Sequence, residues 1–512
     1  MRKRFHKLSC LPAFGLLLCP VLLSSTAVAE QTITIDRLVS GDVYGNGALP
    51  DGAAPASENP NNNIVKIMSG ANVGGWVYGG SGDNATGNEV NVSDGTVVGS
   101  VIGAWNNSAI GGATGNKVTI SGGSVGRVIG GLGFYGNANS NTVTISDGTV
   151  VGSVTGGWGL GGPSYAVSDN VVNINGGLVG GDVSGAYGEG NFTSNKVNIN
   201  GGSAGNITCA GGTGTFTNNK VTISGGTVGN VTGASVEMGS ATGTSVTIGG
   251  DAHVGGVIGA FYQGDSATGT NVTINNDAQV IGDVIGSAGG LGVVRSNPLY
   301  ASSDLVVATI TTNIVTIGDN AQVSGGIIGG RISASAEDYT GIYSATATAT
   351  ATGNIVTISD NAQVTGDIIG GSAYAYATAS SGSATASAIA TENMVKINGG
   401  SVGGNIYGGL FNANYNLASR SNPATITVAD NTVTINGNAQ ILADNVYGGY
   451  VTVGRDYGLI ATTVTGNTVT IDANIQGSID NVYGGYADTV SDSDQRIAAT
   501  VASNSVTTTA AH

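Results

Sequence analysis

Three short segments of the sequence match the Gly-x-Ser-x-Gly pattern that holds the nucleophilic serine of many hydrolases. They are Gly122–Gly126, Gly201–Gly205 and Gly399–Gly403. Such a serine needs a histidine base, and the whole chain has only 3 histidines. Related segments elsewhere carry Thr149 or Leu178 at the serine position. We therefore interpret the matches as by-products of a repeat and predict that the protein is not a serine hydrolase.

Paired carboxylates are the second arrangement that could do chemistry, because two acids on one sheet can cleave a glycosidic bond. Asp182, Asp283 and Asp367 occupy equivalent turn positions, where Asn206 and Asn230 stand in other segments. Exchange of Asp for Asn suits a turn better than catalysis, since both side chains tolerate a left-handed backbone. We predict no enzyme, and a polysaccharide-active enzyme remains the alternative.

Metal ligands are sparse in the sequence. The segment "GGSGDN", Gly79–Asn84, resembles a calcium-binding nonapeptide but occurs once and lacks its final Asp. A zinc site would need a cluster of Cys and His, and the chain has 3 cysteines. We therefore expect no metal and no cofactor.

Tyrosines recur at one position late in the chain and are the best candidates for a binding surface. They are Tyr407, Tyr447 and Tyr483, with Tyr450 and Tyr486 just beyond. If Val446 points inward, Tyr447 points outward, and the three form an exposed stripe suited to carbohydrate or protein contact. The alternative is that a neighbouring β-hairpin covers them.

The composition argues against ordinary globular domains. Of 512 residues 89 are Gly, and only 9% are charged, where about 25% is usual. The N-terminus is typical of a cleaved signal peptide over residues 1–29, with four basic residues, an apolar run and an Ala27-Val28-Ala29 site. Its loss changes the net charge from −16 to −20 and leaves Cys209 as the single cysteine. So acidic a chain should not bind nucleic acid.

A repeat runs through the rest of the chain, centred on a Val-x-Ile or Val-x-Val core. The aligned valines are 24–29 residues apart at first and 36–43 residues apart later: Val65, Val90, Val118, Val143, Val172, Val197, Val221, Val246, Val272, Val315, Val356, Val395, Val433, Val469 and Val506. Each copy has a short alternating strand, a turn, one apolar residue, another turn and a strand such as "VIGG".

One copy cannot bury its apolar face alone, whereas stacked coils cover one another. The sequence therefore predicts an all-β parallel β-helix of about 15 coils, each with three short strands, forming a rod of roughly 70 Å. We divide it at residue 284: residues 30–284 have short coils, and residues 285–512 have longer coils. The extra length reads as strand, turn and strand, which predicts β-hairpin flaps, or a wider coil, on one side of the rod.

An asparagine precedes the aligned valine by two residues in nearly every copy. This offset puts its side chain on the inward face, where a buried amide needs partners. We predict a structural ladder in which each amide bonds to the next coil. Its members are Asn63, Asn88, Asn116, Asn141, Asn170, Asn195, Asn219, Asn313, Asn354, Asn393, Asn431 and Asn467, followed by Asn504, with Thr244 and Thr270 at the two remaining positions.

A leader followed by tandem "NxVTISGGxVGGxVYGG"-like units resembles the passenger region of bacterial autotransporters and related surface adhesins, over about residues 30–506. The resemblance implies a β-helix exported by a Gram-negative bacterium and displayed at the cell surface or released. It implies adhesion or self-association, with a host or bacterial surface glycan or protein, or a second copy, as partner. A self-assembling biofilm matrix component is a further alternative.

The autotransporter family usually continues into an outer-membrane barrel. This chain stops at "NSVTTTAAH" inside a new repeat, without a barrel. From this departure we expect either a truncated or split chain or export by a separate partner.

Overall fold

The computed structural model describes residues 31–47, 60–108, 111–263, 266–295, 304–338, 344–379, 383–413, 423–453, 459–489 and 496–509. Over these ranges the chain is all-β and winds into a parallel β-helix, as predicted, and every strand pairing is parallel. Parallel pairing follows from the repeat, since each strand meets its own equivalent one coil later. The leader and its Ala27-Val28-Ala29 site lie outside the described residues.

Four ladders of strands run along the rod, one more than the three strands per coil that the sequence predicts, because the segment after the "VIGG" or "VYGG" strand also stacks on its equivalent one coil later. A coil contributes at most one strand to a ladder, and the first described coils contribute none to the fourth. The first ladder carries the Val-x-Ile cores: Thr32–Ile35, Ile64–Ile67, Glu89–Val92, Lys117–Gly133, Thr142–Val150, Val171–Ile174, Lys196–Ile199, Lys220–Ile223, Ser245–Ile248, Asn271–Ile274, Ile314–Ile317, Ile355–Ile358, Met394–Ile397, Thr432–Ile435, Thr468–Asp472 and Ser505–Thr509. The second ladder is narrow: Leu38–Val39, Asn72–Val73, Thr96–Asn106, Leu178–Val179, Ser203–Ala204, Thr227–Val228, His253–Val254, Gln279–Val280, Gln322–Val323, Gln363–Val364, Ser401–Val402, Gln440–Ile441 and Gln476–Gly477.

The third ladder contains the "VIGG" and "VYGG" strands: Val43–Tyr44, Val77–Ser81, Val154–Gly159, Val183–Thr193, Ile207–Thr217, Val231–Thr242, Val257–Tyr262, Val284–Arg295, Ile327–Asp338, Ile368–Ala379, Ile406–Ala413, Asn445–Val453 and Asn481–Thr489. The fourth ladder follows it: Gly112–Thr114, Asn137–Asn139, Ser266–Thr268, Asp304–Thr311, Ala345–Thr352, Ala384–Thr391, Pro423–Ala429, Leu459–Thr465 and Arg496–Ala502. Several early strands are long enough to belong to two or three ladders, Lys117–Gly133 among them.

The main core is one continuous column of thin aliphatic slices, from Ile33 to Ile471. In the first ladder Val118 pairs with Val90 and Val143, so identical buried positions stack from coil to coil. Thr119 lies between Val118 and Ile120 and points outward, as the period of two in a strand requires.

A second core lies beside the first, between the extended third-ladder strands and the fourth ladder. Strand Ala345–Thr352 shows its pattern, because its alanines are buried and its threonines face outward. Small alanines let the two strand layers approach closely, which a layer of larger residues would prevent.

The longer coils of the second half are wider coils and not hairpin flaps. Val284–Arg295 pairs with the third-ladder strands before and after it, and Asp304–Thr311 pairs with Ser266–Thr268 and Ala345–Thr352. Among the described residues, the two long strands of one coil do not pair with each other as a hairpin would. Parallel stacking is favoured because neighbouring coils carry extra segments of similar length, whose strands pair in register along their described residues.

The change in coil length at residue 284 does not interrupt the rod. Val272 pairs with Val315 across the first long connection, and the main core continues through both. Nowhere in the described ranges is there a helix long and apolar enough to cross a membrane.

Candidate functional site

The surface best suited to contact with a partner lies where third-ladder strands bend from the main core towards the second core. Val446 belongs to the main core and Val451 to the second, and Gly448-Gly449 lies between them. Two columns of side chains that point away from the main core line this bend, and we call the surface the outer groove. The side chains of the first column are buried or half-buried, and exposed ones such as Tyr187 and Arg331 belong to the second column. One column runs Tyr44, Tyr78, Ile102, Ile129, Thr155, Ser184, Thr208, Thr232, Ile258, Ile285, Ile328, Ile369, Tyr407, Tyr447 and Tyr483.

The second column lies next to it and runs Ser81, Trp105, Leu132, Trp158, Tyr187, Gly211, Ser235, Phe261, Ala288, Arg331, Ser372, Leu410, Tyr450 and Tyr486. Ring contacts between the columns show that they are neighbours in space, for example Tyr447 with Tyr450 at 4.7 Å between centroids. Aromatic residues concentrate at the two ends of the groove. In its middle the first column has Thr, Ser and Ile, and the second column includes Phe261, Ala288, Arg331 and Ser372.

The three tyrosines named from the sequence form one stack at the late end of the groove. The ring of Tyr447 lies 5.3 Å from that of Tyr407 and 5.2 Å from that of Tyr483, each nearly parallel. Tyr450 and Tyr486 form a second stack beside it, with centroids 5.7 Å apart. We call these five residues the tyrosine cluster.

The tyrosine cluster is less exposed than a simple outward stripe would be. Tyr447 is only 8% exposed, because Tyr450 and Tyr486 tilt over its ring. Burial, with nearby acidic and phenolic groups, raises the pKa of Tyr407 and of Tyr447 to about 12. Of the five, only Tyr447 is buried, and the surface that a partner would meet is formed by half-buried Tyr407, Tyr450, Tyr483 and Tyr486.

A second aromatic cluster at the early end of the groove was missed by the sequence reasoning. Tyr44 stacks on Tyr78 at 4.8 Å, and Tyr78 on Trp105 at 5.6 Å. Further along, the guanidinium of Arg127 lies 4.5 Å from the ring centroid of Trp158. A signal was present, since Val77–Gly80 reads "VYGG", the same motif that drew attention to Tyr447.

The asparagines named from the sequence lie side by side inside the rod. In each step the side-chain Nδ2 donates to Oδ1 of the asparagine one coil on, at 2.8–3.0 Å, from Asn63 to Asn219 and from Asn313 to Asn504. The backbone N–H of the donor residue reaches the same Oδ1. In most rungs Nδ2 also donates to a carbonyl at the end of the fourth ladder, for example from Asn170 to Ala138.

The amide column is interrupted at Thr244 and Thr270, and Ser287 compensates at the second of these. Ser287 is fully buried, and its hydroxyl lies 3.0 Å from Oγ1 of Thr270 and 2.9 Å from Oδ1 of Asn313. It occupies a place where the adjacent coils have Ala260 and Gly330. Sequence reasoning had no pattern that pointed to this serine.

The serines of the Gly-x-Ser-x-Gly segments occupy ordinary positions of the second ladder. Ser124 pairs with Thr96 and Thr149, and Ser401 pairs with Gln363 and Gln440. The third serine, Ser203, shares its column with His253, but Thr227 lies between them. Two coil spacings are about 10 Å, which is beyond hydrogen-bond reach.

The three candidate carboxylates link neighbouring coils, and none of them has the left-handed backbone that the sequence argument expected of a turn former. Oδ1 of Asp182, Asp283 and Asp367 each accepts a backbone N–H from the next coil, at 2.8 Å in every case. Asn206 and Asn230 accept the same bond at 2.9 and 2.8 Å. Asp and Asn are therefore interchangeable at this position, because the side-chain Oδ1 of either residue can accept this backbone hydrogen bond.

Comparisons with known proteins identify no relative. Neither a family model, nor a curated protein, nor a solved structure matches this chain.

Proposed function

We propose that the protein is a non-catalytic β-helical rod, exported by a Gram-negative bacterium, that acts at the cell surface or outside the cell in adhesion or self-association. The autotransporter-like repeat and the N-terminal leader pattern support the location. The observation that carries the binding role is the outer groove, with aromatic clusters at both ends of a rigid ladder. Tyrosine and tryptophan dominate binding hot spots, since they offer large contact areas with little entropy to lose.

The repeat supports a rod rather than a catalyst. Functional groups that resemble catalytic motifs, such as Ser124 and Asp182, take part in the same stacking as their equivalents in neighbouring coils. A catalytic site requires a local departure from the repeat that brings several such groups together. The departures at the two ends of the outer groove are aromatic, which suits contact with a partner.

Binding and self-association can be separated with purified protein that lacks residues 1–29. We expect it to adhere to bacterial or host cells, or to sediment as oligomers, and expect the double variant Tyr450→Ser/Tyr486→Ser to weaken that interaction. Tyr135→Ser is the matched control, because Tyr135 is 49% exposed and lies outside the two columns of the groove.

Two results would overturn the proposal. One is a protein that neither adheres nor associates over a range of salt concentrations. The other is reproducible release of reducing sugars from polysaccharides, which would favour the enzyme alternative.

A further inference from the structure

A cleft of about 650 Å³ opens in the middle of the outer groove and extends to Asn412, on the strand that also carries Tyr407. That volume falls in the range of small-molecule sites. The side chains around it combine two aromatic rings, one cation and several neutral polar groups: Phe261, Gln263, Arg331, Ser333, Tyr374 and Asn412.

The cleft results from a run of side chains in the second column of the groove. Ala288, Arg331 and Ser372 are paired in adjacent coils, so Arg331 has a small neighbour on each side. Phe261 precedes this run and Leu410 follows it. The two bulky residues form the ends of a hollow in which the guanidinium is accessible.

Among the described residues, Arg331 has no acidic partner of the kind that a cation on so acidic a chain would be expected to have. Its side chain is exposed, and no carboxylate of the described residues lies within 4.0 Å of it. The ion pair found in those ranges joins Lys117 and Glu89 instead. With a net charge of −16, the chain has acids in excess, yet none of the described carboxylates neutralises this guanidinium.

We propose that this cleft binds a carboxylate-bearing sugar of a glycan chain. The fork of the Arg331 guanidinium matches a carboxylate, which a neutral sugar lacks. Phe261, which is 37% exposed, offers an apolar contact for the C–H face of a sugar ring. The amides of Gln263 and Asn412 and the hydroxyl of Ser333 can donate to and accept from sugar hydroxyls.

This inference rests on the proposed adhesive function and adds to it the chemistry of the ligand. It is tested by calorimetric titration of the whole chain without residues 1–29. The probes are oligogalacturonate and sialyllactose, with lactose as the neutral comparison. We expect at least one acidic sugar to bind and lactose to bind roughly tenfold more weakly or not at all, since hydrogen bonds to a charged group are the stronger ones.

Substitutions in the cleft test which residues contact the acidic sugar. Arg331→Gln should lower affinity for the acidic sugar by roughly tenfold or more, Arg331→Lys by less, and Phe261→Ala should also weaken binding. Arg37→Gln is the matched control, because it makes the same charge change at an exposed site outside the groove. Circular dichroism establishes that each variant is folded.

The results that would overturn binding of a carboxylate-bearing sugar differ from the results that would overturn the adhesive function. Equal binding of acidic and neutral sugars, equal binding of polyglutamate and the acidic sugar, or full affinity in Arg331→Gln would each overturn it. If cells still bind and these sugars do not, the adhesive function stands and the ligand assignment fails.

Discussion

Nδ2 of Asn170 donates to Oδ1 of Asn195 at 3.0 Å, between two asparagines that are 25 residues apart in sequence and one coil apart in space. The backbone N–H of Asn170 donates to the same oxygen at 3.1 Å. Both residues are fully buried. Each asparagine thus supplies the acceptor for the buried donors of the coil before it, and its own donors need the acceptor of the coil after it. The amides of the column are therefore fully hydrogen-bonded only when the coils stack in register.

Removing one rung should be costly. Asn195→Ala leaves two buried donors of Asn170 without their acceptor, and we expect the free energy of unfolding to fall by about 2–3 kcal/mol. Asn195→Thr should cost less than Asn195→Ala because it leaves a smaller cavity, but it should not restore the rung, since the buried Oγ1 of Thr244 finds no partner among the described residues. Urea unfolding followed by circular dichroism measures the change.

The control for this prediction lies on the same strand. Asn198 faces outward and donates to Asn173 at 2.8 Å, and Asn198→Ala should change stability by less than about 0.5 kcal/mol. If Asn195→Ala and Asn198→Ala prove equally mild, the buried column does not stabilise the rod.

The double glycine of the third ladder makes room for the asparagine rungs. A Cβ on Gly157 would overlap the side-chain amide of Asn170 and a Cβ on Gly156 the carbonyl oxygen of Gly185. Gly157→Ala should therefore destabilise the protein by about 1–3 kcal/mol through overpacking.

Gly318→Ala is the control, because its Cβ would meet only the side-chain oxygens of Ser359 and Asp360, at 3.2 and 3.3 Å. Thermal unfolding curves that coincide for the two variants would contradict this packing role.

Much of the fold followed from the repeat, because the spacing of Val118 and its equivalents fixes which residues stack. The prediction of hairpin flaps was wrong for a physical reason. An alternating segment such as "ATATATAT" shows that a strand forms but does not show which strand it pairs with. Ser287 and the packing role of Gly157 were missed because both depend on contacts between coils. Tyr78 shares its motif with Tyr447, and only the three-dimensional register shows that both belong to one groove.

Alkaline pH should destabilise the tyrosine cluster. A phenol whose pKa is about 12 in the fold and about 10 in the unfolded chain favours folding below pH 10. That contribution is lost as pH rises from 10 through 12, because the unfolded chain releases these protons first.

We expect a late component near pH 12 in a phenolate absorbance titration, accompanied by a fall in the free energy of unfolding. Tyr407→Phe/Tyr447→Phe should diminish the late component, and the rest should come from Tyr78 and Tyr262, whose pKa values burial also raises. Tyr135→Phe should leave the late component unchanged; a single phenolate transition near pH 10 in the unaltered protein would contradict the burial.

Cys209 offers a probe of how firmly the coils hold together. It is fully buried in the main core, its thiol lies 3.0 Å from the carbonyl oxygen of Asn195, and burial raises its pKa to about 12. At pH 8 almost no thiolate is present and no reagent has access, so in protein without residues 1–29 labelling by a thiol reagent should require opening of the coil. We expect labelling far slower than for free cysteine, rapid labelling in urea, and an intermediate rate in Asn195→Ala, where the adjacent rung is lost. Cys209→Ser should abolish the signal, and prompt labelling of the folded, unaltered protein would show that this part of the rod opens freely.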